Sequence, residues 1–275
     1  MFDAIPAYAH MTLPSKSQRE LLVVMPVFNE EAAVEKVVGE WLAELKQRTN
    51  DFVLLAINDG STDGSARVLD KLQSEANGKL QVLHQENHGH GQTCLKGYRH
   101  AIEHGFAYVM QIDSDWQCDP RFFCDVWSQR GEFDVIYGQR IGRDDGWRRS
   151  LASFVLKIVV WLRTGALCTD PNVPYRLMRA KILPPVLARI PSNFFLANVA
   201  LAVLLRRDKS LRHGCVPIHF RDRFGGQPVV PMGQFFYRAR QLIQQLGQLK
   251  LSPTKNQSVV HPTAGRVVGS ADECR

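Results

Sequence analysis

The sequence has no Cys-x-x-Cys pair: its six cysteines, Cys94, Cys118, Cys124, Cys168, Cys215 and Cys274, are scattered through 275 residues. That spacing excludes a compact zinc module and a disulfide framework, and a chain of this length needs no covalent staples, so reduced thiols are expected. Cys118 and Cys124 flank Pro120 but have no histidine at zinc spacing. No apolar run is long enough to cross a bilayer; the longest, Leu151 to Leu162, is interrupted by Lys157. The first twenty residues carry Pro6, Pro14 and scattered charges in place of an apolar signal core, so export by that route is not expected. No internal repeat is present.

Acidic residues are scarce in the second half. Residues 1–145 hold 14 Lys and Arg against 22 Asp and Glu (net −8), whereas residues 146–275 hold 20 against 5 (net +15). The second half is therefore expected to face phosphates, nucleic acid or a membrane surface, unless it is a solvated basic face.

What is present is an alternation of buried strands and amphipathic helices. Leu21 to Val27 is a continuous apolar run of the kind buried on both faces of a parallel sheet. Asn29 is placed to cap the helix that follows, with Glu30 and Glu31 in its first turn and Val34, Val37, Val38, Trp41, Leu42 and Leu45 at helical spacing. Phe52 to Ile57 is a second buried strand, closed by the turn Asn58-Asp59-Gly60-Ser61-Thr62-Asp63-Gly64 and followed by a helix to about Glu75. A strand at Leu80 to His84, the loop Asn87-His88-Gly89-His90-Gly91, a helix presenting Leu95, Tyr98 and Ile102, and a strand at Tyr108 to Ile112 come next. This order predicts an α/β, mostly parallel, Rossmann-like sheet with right-handed crossovers. Ligands bind such sheets at the strand carboxyl ends, which places Asn29, Asp59 and Asp113 on one rim.

The strand before Asp113 ends in Asp113-Ser114-Asp115, two carboxylates separated by one residue. Such a pair offers hard oxygen ligands suited to Mg²⁺ or Mn²⁺ carrying a nucleotide diphosphate. The same spacing also closes strands as an ordinary polar turn.

Beyond a strand at Phe133 to Tyr137 the alternation becomes irregular. Trp147 to Arg163 is amphipathic and basic, compatible with a core-packed helix or an interfacial helix on an anionic bilayer. A helix at Phe194 to Leu205, a strand at Val216 to Phe220 and a second amphipathic stretch at Met232 to Leu251 follow, and the polar residues 252–275 are expected to be disordered. The expected division is an N-terminal tail 1–20, a main domain 21–225, an amphipathic, membrane-associating extension 226–251 and a tail 252–275.

With Val24-Met25-Pro26-Val27-Phe28-Asn29-Glu30, Asn58-Asp59-Gly60-Ser61-Thr62-Asp63 and Asp113-Ser114-Asp115 in that order at strand ends, residues 21–225 resemble family-2 glycosyltransferases of the GT-A fold. Asp113-Ser114-Asp115-Trp116-Gln117 with Pro120, Tyr137-Gly138-Gln139-Arg140, Asp170 through Tyr175-Arg176, and Val216-Pro217-Ile218 leading to Asp222-Arg223-Phe224-Gly225-Gly226 resemble the dolichol- or polyprenyl-phosphate sugar synthases within it. The resemblance implies that Pro26, Asn29 and Glu30 frame a nucleoside pocket and that Asp59 accepts from a base N–H. Gly60, Ser61, Asn87, Gly91 and Ser114 would be further substrate-binding positions, and Asp113, Asp115 and Gln117 would hold Mg²⁺ or Mn²⁺ with the diphosphate. Arg140, Arg148, Arg149, Arg176 and Arg223 would bind phosphate through their guanidinium forks, or stand in surface ion pairs.

Two departures from the family pattern matter. His90 stands where relatives often have Lys. The segment Phe194-Phe195-Leu196-Ala197-Asn198 contains no Asp or Glu, whereas family members that glycosylate a hydroxyl usually present an acidic base there. A sugar hydroxyl needs such a base, but a lipid phosphate is already ionised at neutral pH. The expected reaction is therefore inverting, metal-dependent transfer from a GDP- or UDP-linked sugar to polyprenyl phosphate, by a cytoplasmic protein peripheral to the membrane face. Its rival is transfer to a saccharide or glycolipid hydroxyl, with Asp170 or Asp222 as base. A nucleotidyltransferase is disfavoured because Pro26-Val27-Phe28-Asn29-Glu30 replaces a Gly-rich, basic phosphate loop. A non-catalytic nucleotide- or nucleic-acid-binding protein is disfavoured because the basic residues are not interleaved with a run of exposed-looking aromatics and because Asp113 and Asp115 would repel a phosphate backbone.

Overall fold

A computed structural model describes residues 19–141, 173–192, 194, 196–224 and 244–245. Arg148, Arg149, Asp170, Gly225, Gly226, the stretch Trp147 to Arg163 and nearly all of residues 226–275 lie outside the described residues.

The elements follow the predicted alternation: β1 Arg19–Val27, α1 Glu31–Arg48, β2 Phe52–Asp59, α2 Ser65–Glu75, β3 Leu80–Gln85, α3 His90–Glu103 and β4 Phe106–Gln111. α4 Phe123–Ser128, β5 Val135–Arg140, β6 Arg176–Arg179, α5 Leu183–Leu187, α6 Ala197–Arg207 and β7 His213–Ile218 complete it. The seven strands form one sheet in the order β3-β2-β1-β4-β6-β5-β7. All pairs are parallel except those of β6, which runs antiparallel to β4 and β5. β6 was not anticipated: four residues, Arg-Leu-Met-Arg, give too short a pattern to read a period.

β1 is buried continuously from Leu21 to Val27 because both faces are covered. Leu22 and Val24 face the cluster formed with α3, α5 and α6, whereas Leu21, Val23, Met25 and Val27 face α1, α2 and α4. Each fully buried Leu or Val contributes about 2 kcal/mol relative to exposure. Register places the ends of the strands level: Val27 pairs with Asn58, Asn58 with His84, and Val24 with Gln111. Asn29, Asp59 and Asp113 thus stand on one rim.

Three expectations are corrected. Asn29 does not cap α1: the cap position is Glu30, without a side-chain cap bond, and Asn29 adopts φ 55°. Asn tolerates this left-handed backbone better than most residues, and its side chain turns to the neighbouring loop instead. The later strands are shifted, β5 starting at Val135 and β7 spanning His213–Ile218, because their partners and not their local patterns set their ends. Finally, Cys94, Cys118 and Cys215 are thiols but Cys124 is disulfide-bonded; pairing follows spatial proximity, which sequence spacing does not report.

Candidate active site

The loops after β1 and β2 are laced together through side-chain acceptors. The N–H groups of Asn29, Glu30 and Glu31 donate to Ser61 Oγ, Ser65 Oγ and Asp63 Oδ2 at 3.0, 2.9 and 3.1 Å. In return Asn29 Oδ1 accepts from Thr62 N at 2.8 Å, and Glu31 Oε2 from Gly64 N at 2.9 Å. Asn29, Glu30, Glu31, Ala32 and Asp63 line an open cleft of about 380 Å³. Pro26 contributes its carbonyl, which accepts from Ser114 Oγ at 2.9 Å and ties β1 to the β4 loop.

Asp59 shapes the third loop from within. Only 2 % exposed, its Oδ1 accepts from Gln85 Nε2 (2.7 Å) and His88 N (2.9 Å), and its Oδ2 from Gly89 N (2.9 Å). The chain's own donors engage the carboxylate expected to meet a base. Gly60, at φ +72°, lies where a Cβ would stand 2.8 Å from Asn87 N, so only glycine lets the β2 and β3 loops touch. At Gly91 a Cβ would come within 2.9 Å of Ala197 N, where α3 abuts α6.

Asp113 and Asp115 leave β4 beside this loop. His90 Nε2 stands 2.9 Å from Asp113 Oδ1 and His90 Nδ1 4.0 Å from Cys94 Sγ. Desolvation opposes the charged imidazole, but Cys94 and Asp113 together hold His90 well above its ordinary pKa. Burial likewise opposes ionisation of Asp113, and the His90 and Arg140 charges overcome it, holding the carboxyl below the usual range. Asp115 is displaced the other way, first by burial and then by the charge of Asp113. Two hard-oxygen carboxylates that repel each other suit a divalent cation of the Mg²⁺ or Mn²⁺ type. Among the described residues no cluster of three or more His, Cys, Asp and Glu is arranged to hold a metal, so there Asp113 and Asp115 stand as a pair.

Gln117 lies next to this pair, but its Nε2 donates to the Arg221 carbonyl at 3.4 Å while its N–H closes a turn on Asp115 Oδ1 at 3.2 Å. Arg223 reaches the rim and pairs with Glu30. Glu30, 6 % exposed, is raised to about 7, chiefly by burial, with Arg223 opposing and Asp115 and Asp113 adding to the shift. The Arg140 guanidinium lies 4.2 Å over the Phe220 ring, close enough to act on both aspartates. Arg176 is placed elsewhere: it is 0 % exposed, sits within the sheet opposite Gln111 and Tyr137, and its Nη2 donates to the Val173 carbonyl at 3.4 Å.

Three contributors were not among the expected site residues. His90 was noted only as a departure, although a His-Gly-His-Gly loop at a strand end was a usable signal. Trp116 stands inside the Asp113–Gln117 motif and Arg221 was an alternative to Arg223 for phosphate, but neither position showed its partners, which are distant in sequence: Arg221 bonds Glu40 and Asp119, and Trp116 Nε1 bonds both Glu40 oxygens at 3.2 and 3.1 Å.

Residues 22–201 match Glycosyl transferase family 2. The chain belongs to that family. Among curated relatives of this family-2 chain is the undecaprenyl-phosphate 4-deoxy-4-formamido-L-arabinose transferase of Proteus mirabilis, 27 % identical over 167 residues, which are 60 % of this chain and 50 % of that protein. The protein of the same name from Salmonella paratyphi A is 25 % identical over 225 residues, 81 % of this chain and 63 % of its own. The family-2 chain therefore spans from half to under two thirds of these relatives. Mycobacterium tuberculosis glucosyl-3-phosphoglycerate synthase, solved with Mn²⁺, UDP-glucose and phosphoglyceric acid, superposes with a TM-score of 0.59 at 19 % identity, over 83 % of this chain and 80 % of that one. The shared architecture is the expected GT-A fold.

Proposed function

We propose that this family-2 chain is an inverting, metal-dependent glycosyltransferase that moves a sugar from a nucleotide-sugar to a polyprenyl phosphate. The observation that carries the choice of acceptor is Asn198. It stands in the segment where hydroxyl-glycosylating relatives usually place an acidic base, yet it is neutral and 2 % exposed, with Nδ2 on Cys94 Sγ (3.5 Å) and Oδ1 accepting from Tyr98 Oη (3.4 Å). An acceptor that needs no deprotonation suits such a site. The names of the Proteus and Salmonella relatives point the same way.

In this reading Asn29, Glu30 and the loop shaped by Asp59 frame the nucleoside, with Gly60, Ser61, Asn87 and Gly91 in its walls. Asp113 and Asp115 would hold Mg²⁺ or Mn²⁺, which would supply positive charge to the departing diphosphate. Arg140 and Arg223 bind phosphate oxygens, and Arg223 leaves Glu30 to do so. An acceptor phosphate oxygen attacks the anomeric carbon as the bond to the nucleoside diphosphate breaks, so the configuration inverts and no proton is transferred. Among the described residues no helix is long and apolar enough to cross a membrane; binding at the cytoplasmic face belongs to the proposal, as do the main domain 21–225 and the extension 226–251.

Purified protein supplied with UDP- or GDP-linked sugars, Mn²⁺ and polyprenyl phosphate in micelles is expected to form lipid-linked sugar. Glycosylation of a saccharide hydroxyl with no turnover of the lipid phosphate would refute the acceptor assignment.

A further inference from the structure

Trp116 lies between Asp115 and Gln117 with φ 69°. A residue with a bulky side chain rarely adopts this left-handed conformation, so something outside the residue must hold it there. Two cations stand over the indole, Lys36 Nζ at 3.8 Å and the Arg221 guanidinium at 4.6 Å from a ring centroid. Phe224 meets it edge-on at 5.7 Å, and its N–H is fixed on the Glu40 carboxylate. The ring is thereby anchored to α1, through Lys36 and Glu40, and to the segment after β7, through Arg221 and Phe224.

That segment is bonded to the loop on both sides of Trp116. Arg221 N donates to the Gln117 carbonyl at 3.1 Å and Phe224 N to the Asp115 carbonyl at 3.2 Å. Gln117 Nε2 returns a bond to the Arg221 carbonyl. The Arg221 guanidinium forks between Glu40 and Asp119, the latter at 2.8 Å with its side chain 1 % exposed.

We propose that Trp116 and Arg221 are positioning residues: they strap residues 221–224 across the Asp113–Gln117 loop and fix where Asp115 would present its carboxylate to a divalent cation. This rests on the reading of Asp113 and Asp115 as the metal-binding pair. Both side chains are engaged by the protein itself, Trp116 on Glu40 and Arg221 on Glu40 and Asp119. A guanidinium fork and an indole are both required, because an ammonium cannot span Glu40 and Asp119 together and a phenyl ring has no N–H for Glu40.

The test is Mn²⁺ affinity by electron paramagnetic resonance, with UDP and separately with GDP, on the full chain, beside thermal melts. Trp116→Ala and Arg221→Ala are each expected to weaken Mn²⁺ binding by about tenfold or more. The double variant should be no worse than about the weaker-binding single one, because both changes release the same strap. Arg221→Lys should fail to restore affinity, and Trp116→Phe should restore it only in part. Trp116→Gly accepts the left-handed backbone without strain but loses the indole, so it should bind as poorly as Trp116→Ala. Wild-type affinity in Trp116→Gly, or in both alanine variants, overturns the proposal. Should the alanine variants melt too early to measure, Arg221→Lys and Trp116→Phe decide: unchanged metal affinity in both overturns it. Asp115→Ala is the separate control: loss of Mn²⁺ binding there upholds the metal-site reading whatever the strap variants do, and unchanged binding removes that reading and this proposal with it.

Discussion

The rim of the sheet is held in two different ways. On the β1–β2–β3 side the loops are joined by hydrogen bonds from backbone N–H groups to side-chain acceptors 29 to 35 residues away, such as Glu30 to Ser65 and His88 to Asp59. On the β4 side the Asp113–Gln117 loop is fastened by charged and aromatic groups that include partners more than 100 residues away, among them Arg221 to Asp119 and Gln117 to Arg221. The first region is prebuilt, with most of its acceptors engaged. The second collects unbalanced charge, visible in the opposite displacements of the neighbouring Asp113 and Asp115. A preformed wall for the uncharged part of a ligand and a charge-holding loop for its phosphates is the division of labour that the proposed nucleotide-sugar site would use.

The contrast can be broken at several points. Asp115→Ala should have the largest effect, lowering kcat/KM for sugar transfer by about a thousandfold while leaving the thermal midpoint nearly unchanged. Asp59→Ala should instead act chiefly on stability. It strands three donors, Gln85 Nε2 and the N–H groups of His88 and Gly89, and urea unfolding should show a loss of about 3 kcal/mol.

Glu30 sharpens the comparison through pH. Its carboxyl is raised from 4.5 to about 7, so between those values the folded state binds more protons than the unfolded one. Its contribution to stability is therefore largest below about pH 4.5, falls as pH rises to about 7 and is level beyond. Glu30→Gln should flatten the pH dependence over that window by at most about 3 kcal/mol, read from chemical unfolding at a series of pH values. The smallest effect is expected at the exposed Arg67–Glu31 pair, 3.4 Å apart, where Arg67→Ala should change stability by less than about 0.5 kcal/mol.

The parts of the fold legible in the chain are those with a strong local period. Leu21 to Val27 and Phe52 to Ile57 read as buried strands because sheets covered on both faces need uninterrupted apolar runs, and Asp113-Ser114-Asp115 read as a rim feature because it directly follows such an apolar run. β6 was hidden because four residues carry no period, and its antiparallel direction is set by the strands it enters between. Among the arginines, residue type suggested phosphate binding for Arg140, Arg176 and Arg223 alike. Burial then separated them, leaving Arg223 on Glu30 and Arg176 fully enclosed within the sheet.

By itself, the amino-acid order determined the first four strands and the helices between them, and therefore that Asn29, Asp59 and Asp113 share one rim. Only the tertiary structure decided which charge meets which: His90 with Asp113, Arg223 with Glu30, Arg221 with Glu40 and Asp119. Hydrophobic periodicity is a local property, set by the helical and strand repeats along the backbone. Electrostatic pairing depends on distance through space and on burial, and neither is written in sequence separation.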